Sequence, residues 1–274
     1  MADKIVRIKY NGSWNTLPSP GAELTADAEQ IDDTILGQSW KSSWPGLLKF
    51  GISCRCFHKG VAGYNAKIRL AGSEIAARSF ELTQTAEAVD VSTLPAVQAN
   101  NGWAIQRCGL RTVSIRVPKF YASKAALTAL QARTPVTISI TPDGMNEAVA
   151  VGDFVYLGIA WNGDVGSPEE EELNFGLHVP LADSSVPFVW TTGGGSSLVT
   201  SSSTNPPDMP DAIVDLLNSF MDRANITVAY YPDGHADSSE SGLIASAFVT
   251  DISLRAGVEG NVEFGCELAS AGGL

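Results

Sequence analysis

The chain has 274 residues, 44% of them hydrophobic, enough to bury one large core or two modest ones. Charged residues make up only 18% and the formal net charge is −12 at pH 7. That balance argues against a protein that grips nucleic acid through clustered Lys and Arg; it fits a surface kept soluble by its charge or a channel that repels phosphates.

The N-terminal stretch MADKIVRIKYNGSW contains no apolar signal-peptide core. No stretch anywhere approaches the roughly 18 apolar residues of a membrane span, so a soluble, unsecreted protein with no membrane partner is expected. From Glu23 to Leu36 the chain reads ELTADAEQIDDTIL, and from Glu81 to Leu94 it reads ELTQTAEAVDVSTL. Glu, Leu, Thr, Ala, Glu, Asp and the final Leu coincide without a gap, an internal repeat. Each copy then runs through a polar stretch to a Trp (Trp44 or Trp103) and a Gly-Leu pair (Gly46-Leu47 or Gly109-Leu110). A strand follows, ISCRC in the first copy and VSIRV in the second. In ISCRC the alternation puts Cys54 and Cys56 on one apolar face. With Cys108 and Cys266 they match no metal-site spacing and no disulfide framework, so they are expected to be reduced core residues.

A second pair of modules lies further along. Ser123 to Arg133 carries an N-cap residue, apolar positions at Leu127 and Leu130, and a stop at Pro135, which together predict a short helix. VTISI follows as a strand, then the turn Thr141-Pro142-Asp143-Gly144. The order recurs with a helix carrying Ile213, Leu216, Leu217 and Phe220 on one face, the strand ITVAY, and the turn Tyr231-Pro232-Asp233-Gly234. The match continues through Gly152 and Gly242 to LNFGLHV (Leu173 to Val179) and VEFGCEL (Val262 to Leu268). Between the two lies the Gly/Ser/Pro-rich stretch Gly193 to Pro207, which has the composition of an exposed linker.

The modules therefore run first, first, second, second. One unit, residues 61–183, is expected to be nested inside another built from 1–60 and 184–274; a swap of modules between neighbouring copies would give the same order. Short β-branched runs bounded by Gly, Pro, Asn and Asp predict a mainly β fold with one short helix per unit. Two related units in one chain are the expected organisation.

The acidic segment AEQIDDTILG leading to WPGLLKFGISC, taken with the ending SAFVTDISLRAGVEGNVEFGCELASAGGL, resembles the tail tube (major tail) proteins of siphophages. The resemblance implies two related β-sandwich or barrel folds in one chain, forming a virion structural subunit whose inner sheets join into a barrel. Its rings stack into the DNA conduit of a long non-contractile tail. It further implies partners in stacked copies of the ring and in tape measure, tail terminator and tail tip proteins, with DNA crossing the lumen unbound. The expected location is the virion tail, and the host cytoplasm during assembly. Related single-fold subunits form six-membered rings; two folds per chain predict a trimer with pseudo-six-fold symmetry, a hexamer being the alternative. A duplicated β-sandwich adhesin or capsid decoration protein is the competing function.

No enzymatic activity and no cofactor are expected, because His58, His178 and His235 lie in no catalytic or metal-binding constellation and no phosphate-binding glycine loop is present. The residues expected to touch neighbouring subunits or rings are Asp32, Asp33, Trp40, Trp44, Asp90 and Trp103. To these is added the acidic run Glu169, Glu170, Glu171 and Glu172, read as a hairpin tip. The tryptophans are read equally as core or as interface anchors.

Overall fold

The computed structural model describes residues 5–19, 21–32, 43–99, 103–142, 149–163, 169–179, 188–191, 210–232 and 242–272. The chain opens with β1 (Ile5–Tyr10) and β2 (Ser13–Thr16), then two long strands, β3 (Gly21–Asp32) and β4 (Ser43–Ala62). The same sequence of elements follows as β5 (Lys67–Leu70), β6 (Ser73–Glu74), β7 (Ser79–Asp90), the helix α1 (Leu94–Ala99) and β8 (Gln106–Phe120). Next come α2 (Ala125–Ala132), β9 (Val136–Thr141), β10 (Val149–Asn162), β11 (Glu170–Leu177) and β12 (Phe188–Thr191). The chain ends with α3 (Asp211–Asp222), β13 (Ile226–Tyr231), β14 (Leu243–Gly257) and β15 (Asn261–Ser270). The fold is mainly β with short helices, as the composition predicts.

Two hairpins, β1–β2 and β5–β6, turn on two residues of positive φ: Asn11 and Gly12 at 53° and 111°, Ala71 and Gly72 at 47° and 82°. Such turns match the right-handed twist of the flanking strands. Asn11-Gly12 is thus a hairpin signal that the module comparison, starting at Glu23, passes over.

The strands pair antiparallel in two series of the same order. One runs β2-β1-β13-β14-β15-β4-β3; the other runs β6-β5-β9-β10-β11-β8-β7. The series join where β7 pairs with the far half of β14, giving a single fifteen-stranded sheet. The strand β12 adds to β10, so the second series extends to Thr191.

Registers fix which residues of the two series are equivalent. In β3 the pairing slips around Glu29, opposite Gly46-Leu47; in β7 it slips around Glu87, opposite Gly109-Leu110. This bulge accounts for the glycine of the repeat. A Cβ on Gly46 would stand 3.1 Å from the Glu29 carbonyl oxygen, and one on Gly109 would stand 3.1 Å from that of Glu87 and 2.7 Å from a Val89 methyl. The hairpins β10–β11 and β14–β15 also share a bulge, at Leu157 and at Thr250. Counting from it, Phe175 occupies the station of Leu268 and Glu171 that of Phe264. The sequence match of Leu173 to Val179 with Val262 to Leu268 is therefore one full pleat pair out of register. Similarity of residue type along two amphipathic strands survives such a slip, because both settings keep the same face inward.

The helices lie over the two series unequally. Most residues of α3 are buried against β1, β2 and β14, and the helix is tied down by hydrogen bonds. Asn15 donates to Asp215 at 2.7 Å, the Tyr10 hydroxyl donates to Asp222, and Arg111 of β8 donates to the carbonyls of Phe220 and Met221 at 2.8 and 2.7 Å. Helix α2 packs on β10, buries only Ala126 fully and leaves Leu127 and Leu130 half-exposed. Ser123 still serves its first turn, accepting from the Ala125 amide at 3.3 Å.

Candidate assembly surfaces

The acidic run does not form a hairpin tip. Glu170, Glu171 and Glu172 open β11 and pair with Phe120, Lys119 and Pro118 of β8. A strand is possible here because cations stand within reach on both faces. Arg78 meets Glu170, Arg116 meets Glu172 at 2.5 Å, and Lys119 meets Glu171 at 2.7 Å. The Arg116 hydrogen bond holds the Glu172 carboxyl below the usual range. Glu171 is buried, and the Trp161 indole also donates to it at 3.1 Å. Within this chain it is a paired buried charge. Glu169 is exposed, and its carbonyl accepts the Tyr121 amide.

Asp32 and Asp90 end β3 and β7 at equivalent stations. Asp90 caps its own turn, accepting the Ser92 amide at 2.8 Å, and faces Lys49 of β4 at 3.9 Å. Those Ser92 bonds hold its carboxyl below the usual range, with Lys49 adding to them. Trp103 packs edge-to-face on the buried Phe50 at 5.9 Å, and the amide after it donates to the Leu48 carbonyl. Trp103 is half-buried, packs against the core and ties the second series to β4. Asp33 and Trp40 lie outside the described residues, as does the side chain of Trp44.

Cys54, Cys56 and Cys266 are buried, the sulfurs of Cys54 and Cys266 meeting 2.6 Å apart across β4 and β15. The neighbouring thiols Cys54 and Cys56, and burial, push the Cys266 thiol well above its ordinary range. Among the described residues no group of three or more His, Cys, Asp or Glu side chains could hold a metal ion, and no helix is long and apolar enough to cross a membrane. His178 is placed by its backbone, which donates to the Asp153 carbonyl, while His235 and the side chain of His58 lie outside the described residues.

The polar face of β3, β4, β15 and β14 forms an open groove of about 730 Å³. Its charged lining is Glu23, Asp251, Glu263 and Glu267 against Arg55 and Arg255, so carboxylates outnumber guanidiniums. Burial pushes the Asp251 carboxyl up to about 6, with Glu267 and Glu81 adding to the effect. Arg255 donates to Glu81 at 2.7 Å across the junction of β14 and β7.

Short strands β2, β6 and β12 each have one neighbour, and two longer edges are also open among the described residues. β3 pairs only with β4, and the end of β10 from Gly158 to Asn162 pairs only with β11. Large apolar groups stand at or near these edges, Trp161 being 50% and Leu157 66% exposed. Unpaired amides and carbonyls beside apolar side chains make a template for another strand.

No family model and no curated protein matches this chain. Among solved structures, a chain from the virion of a native gene transfer agent particle is similar to 47% of this chain, over 96% of its own length. The identity is 16% and the TM-score 0.38. A chain from the tail of an empty gene transfer agent particle, obtained by helical refinement with C6 symmetry, is similar to 44% of this chain over 96% of its own. There the identity is 18% and the TM-score 0.37.

Proposed function

We propose that this chain is the tube-building subunit of a siphophage-type tail, with two copies of one tube fold in each polypeptide. The observation that carries this reading is the edge-to-edge joining of two strand series of identical order through β14 and β7. A sheet that already continues from one series into the next is a segment of a closed wall, and closing that wall pairs every edge. The first unit comprises β1 to β4 with α3 and β13 to β15. The second comprises β5 to β12 with α2 and is nested between the two parts of the first.

In this reading three chains supply six folds, so the ring is a trimer with pseudo-six-fold symmetry. The rings stack, and the polar face with its excess of carboxylates lines a net negative bore through which DNA passes unbound. The test is electron microscopy of the purified protein with symmetry determination. Three-fold rings or tubes with pseudo-equivalent halves are the expected result. True six-fold rings of whole chains would sink the trimer, and monodisperse monomers that bind glycans would favour an adhesin.

A further inference from the structure

The junction inside the chain specifies the junction between chains. β14 carries β15 on one edge; on the other, Asp251 to Gly257 pair with Thr85 to Ser79 of β7. By register β10 is the counterpart of β14, and β3 is the counterpart of β7. Gly158, Ile159, Ala160, Trp161 and Asn162 occupy the stations of Asp251, Ile252, Ser253, Leu254 and Arg255. Ala22, Glu23, Leu24, Thr25, Ala26 and Asp27 occupy those of Phe80 to Thr85. The first pair of strands is joined within the chain. The second pair is open at both members.

Burial follows this difference position by position. In the joined pair Phe80, Leu82, Gln84, Ile252 and Leu254 are all buried. At the open stations Ala22 alone is buried, Leu24 and Ile159 are half-exposed, and Ala26 and Trp161 are exposed. The pattern of side chains that would face inward is kept, and the strand that would cover it is missing. The helices repeat the asymmetry. Arg111, from the series that supplies β7, caps α3 of the series that supplies β14, whereas α2 has no such visitor among the described contacts and leaves Leu127 and Leu130 half-exposed.

We infer that β3 of one copy adds to the open edge of β10 of a second copy, antiparallel, with Thr25 opposite Ala160 and Leu24 opposite Trp161. This deepens the tube reading, on which it rests only for the chain's self-assembly. The residue pairs suit one another: Leu24 and Ala26 meet Trp161 and Ile159 on one face, and Glu23, Thr25 and Asp27 meet Asn162, Ala160 and Gly158 on the other, with no like charges opposed. The interface is heterologous, a different edge on each partner, which closes into rings or continues as a filament and does not make a two-fold dimer.

Disulfide trapping tests the register. In a Cys108→Ser background, Thr25→Cys protein is mixed with Ala160→Cys protein under mild oxidation. A chain carrying Thr83→Cys and Ser253→Cys, the equivalent pair within one molecule, serves as the folding control and should close internally. The expected result is a cross-linked heterodimer in the mixture and its loss when Ile159→Cys replaces Ala160→Cys, because the neighbouring residue points to the other face. Cross-linking of Thr25→Cys protein to itself would overturn the proposal. Rings or tubes seen by microscopy without the heterodimer would overturn this register and leave the tube reading standing. A chain that stays monomeric at high concentration would overturn both.

Discussion

The half-buried Lys119 pairs with the buried Glu171 across β8 and β11, with the Trp161 indole as third partner. The equivalent stations in the other series hold Cys56 and Phe264, both buried, so this position of the fold tolerates an apolar pair as well as an ionic one. That comparison separates the cost of breaking the pair from its net worth. Lys119→Met, which leaves the carboxylate without its cation, is expected to lower stability by about 3–5 kcal/mol in denaturant unfolding. Adding Glu171→Leu should recover most of the loss; a double variant no more stable than the single one would show that the pair itself holds the strand in place. Asp251 is a residue-scale case of opposite sign. Its carboxyl is raised to about 6 in the folded chain, against an ordinary aspartate value near 3.9 when unfolded. Between those values the native state binds more protons than the unfolded one. The stability from this group is therefore present below about pH 4 and lost as pH rises through 6. Asp251→Asn is expected to raise the thermal midpoint at pH 7.5 and to flatten the stability profile between pH 4 and 6. An unchanged profile would assign the slope to other carboxylates.

At the scale of elements, α3 is the best-anchored piece of the molecule, and its anchor comes from the other series. Arg111 donates to the last carbonyls of the helix and lies over the Phe220 ring at 5.7 Å. It thus meets the last carbonyls and the negative end of the helix dipole at once. Arg111→Leu should cost about 2 kcal/mol in global unfolding. Hydrogen exchange should rise first in Ser219 to Asp222 if the cap acts locally. Uniform acceleration across both series would instead show that Arg111 holds the two together. The strand assignments VTISI, ITVAY, ISCRC and VSIRV and both long helices were legible because period and boundary residues agree within each segment. The acidic run was misread for the converse reason. Four successive glutamates signal a solvated turn, and only β8 and the residue before β7 supply the Lys119, Arg116 and Arg78 charges that let them pair.

For the whole molecule, two strand series share an order, a pair of bulges and a glycine that each first bulge requires, and they differ in what covers their edges. The equivalence of Glu23 with Glu81, of Gly46 with Gly109 and of Asp32 with Asp90 could be read from the repeat directly. The alignment of the last hairpins could not, since amphipathic strands resemble themselves when slipped by an even number of residues. Trp103 was legible as a repeat landmark, but its packing on Phe50 was not.

The sequence by itself determined the mainly β character, the order of modules and the places of the two long helices. These depend on composition, on period and on residues close together in the chain. Only the tertiary structure decided the registers, the junction of β14 with β7 and the open edges of β3 and β10. Those depend on hydrogen bonds between strands far apart in sequence, and on bulges whose effect is felt across the sheet rather than along the strand.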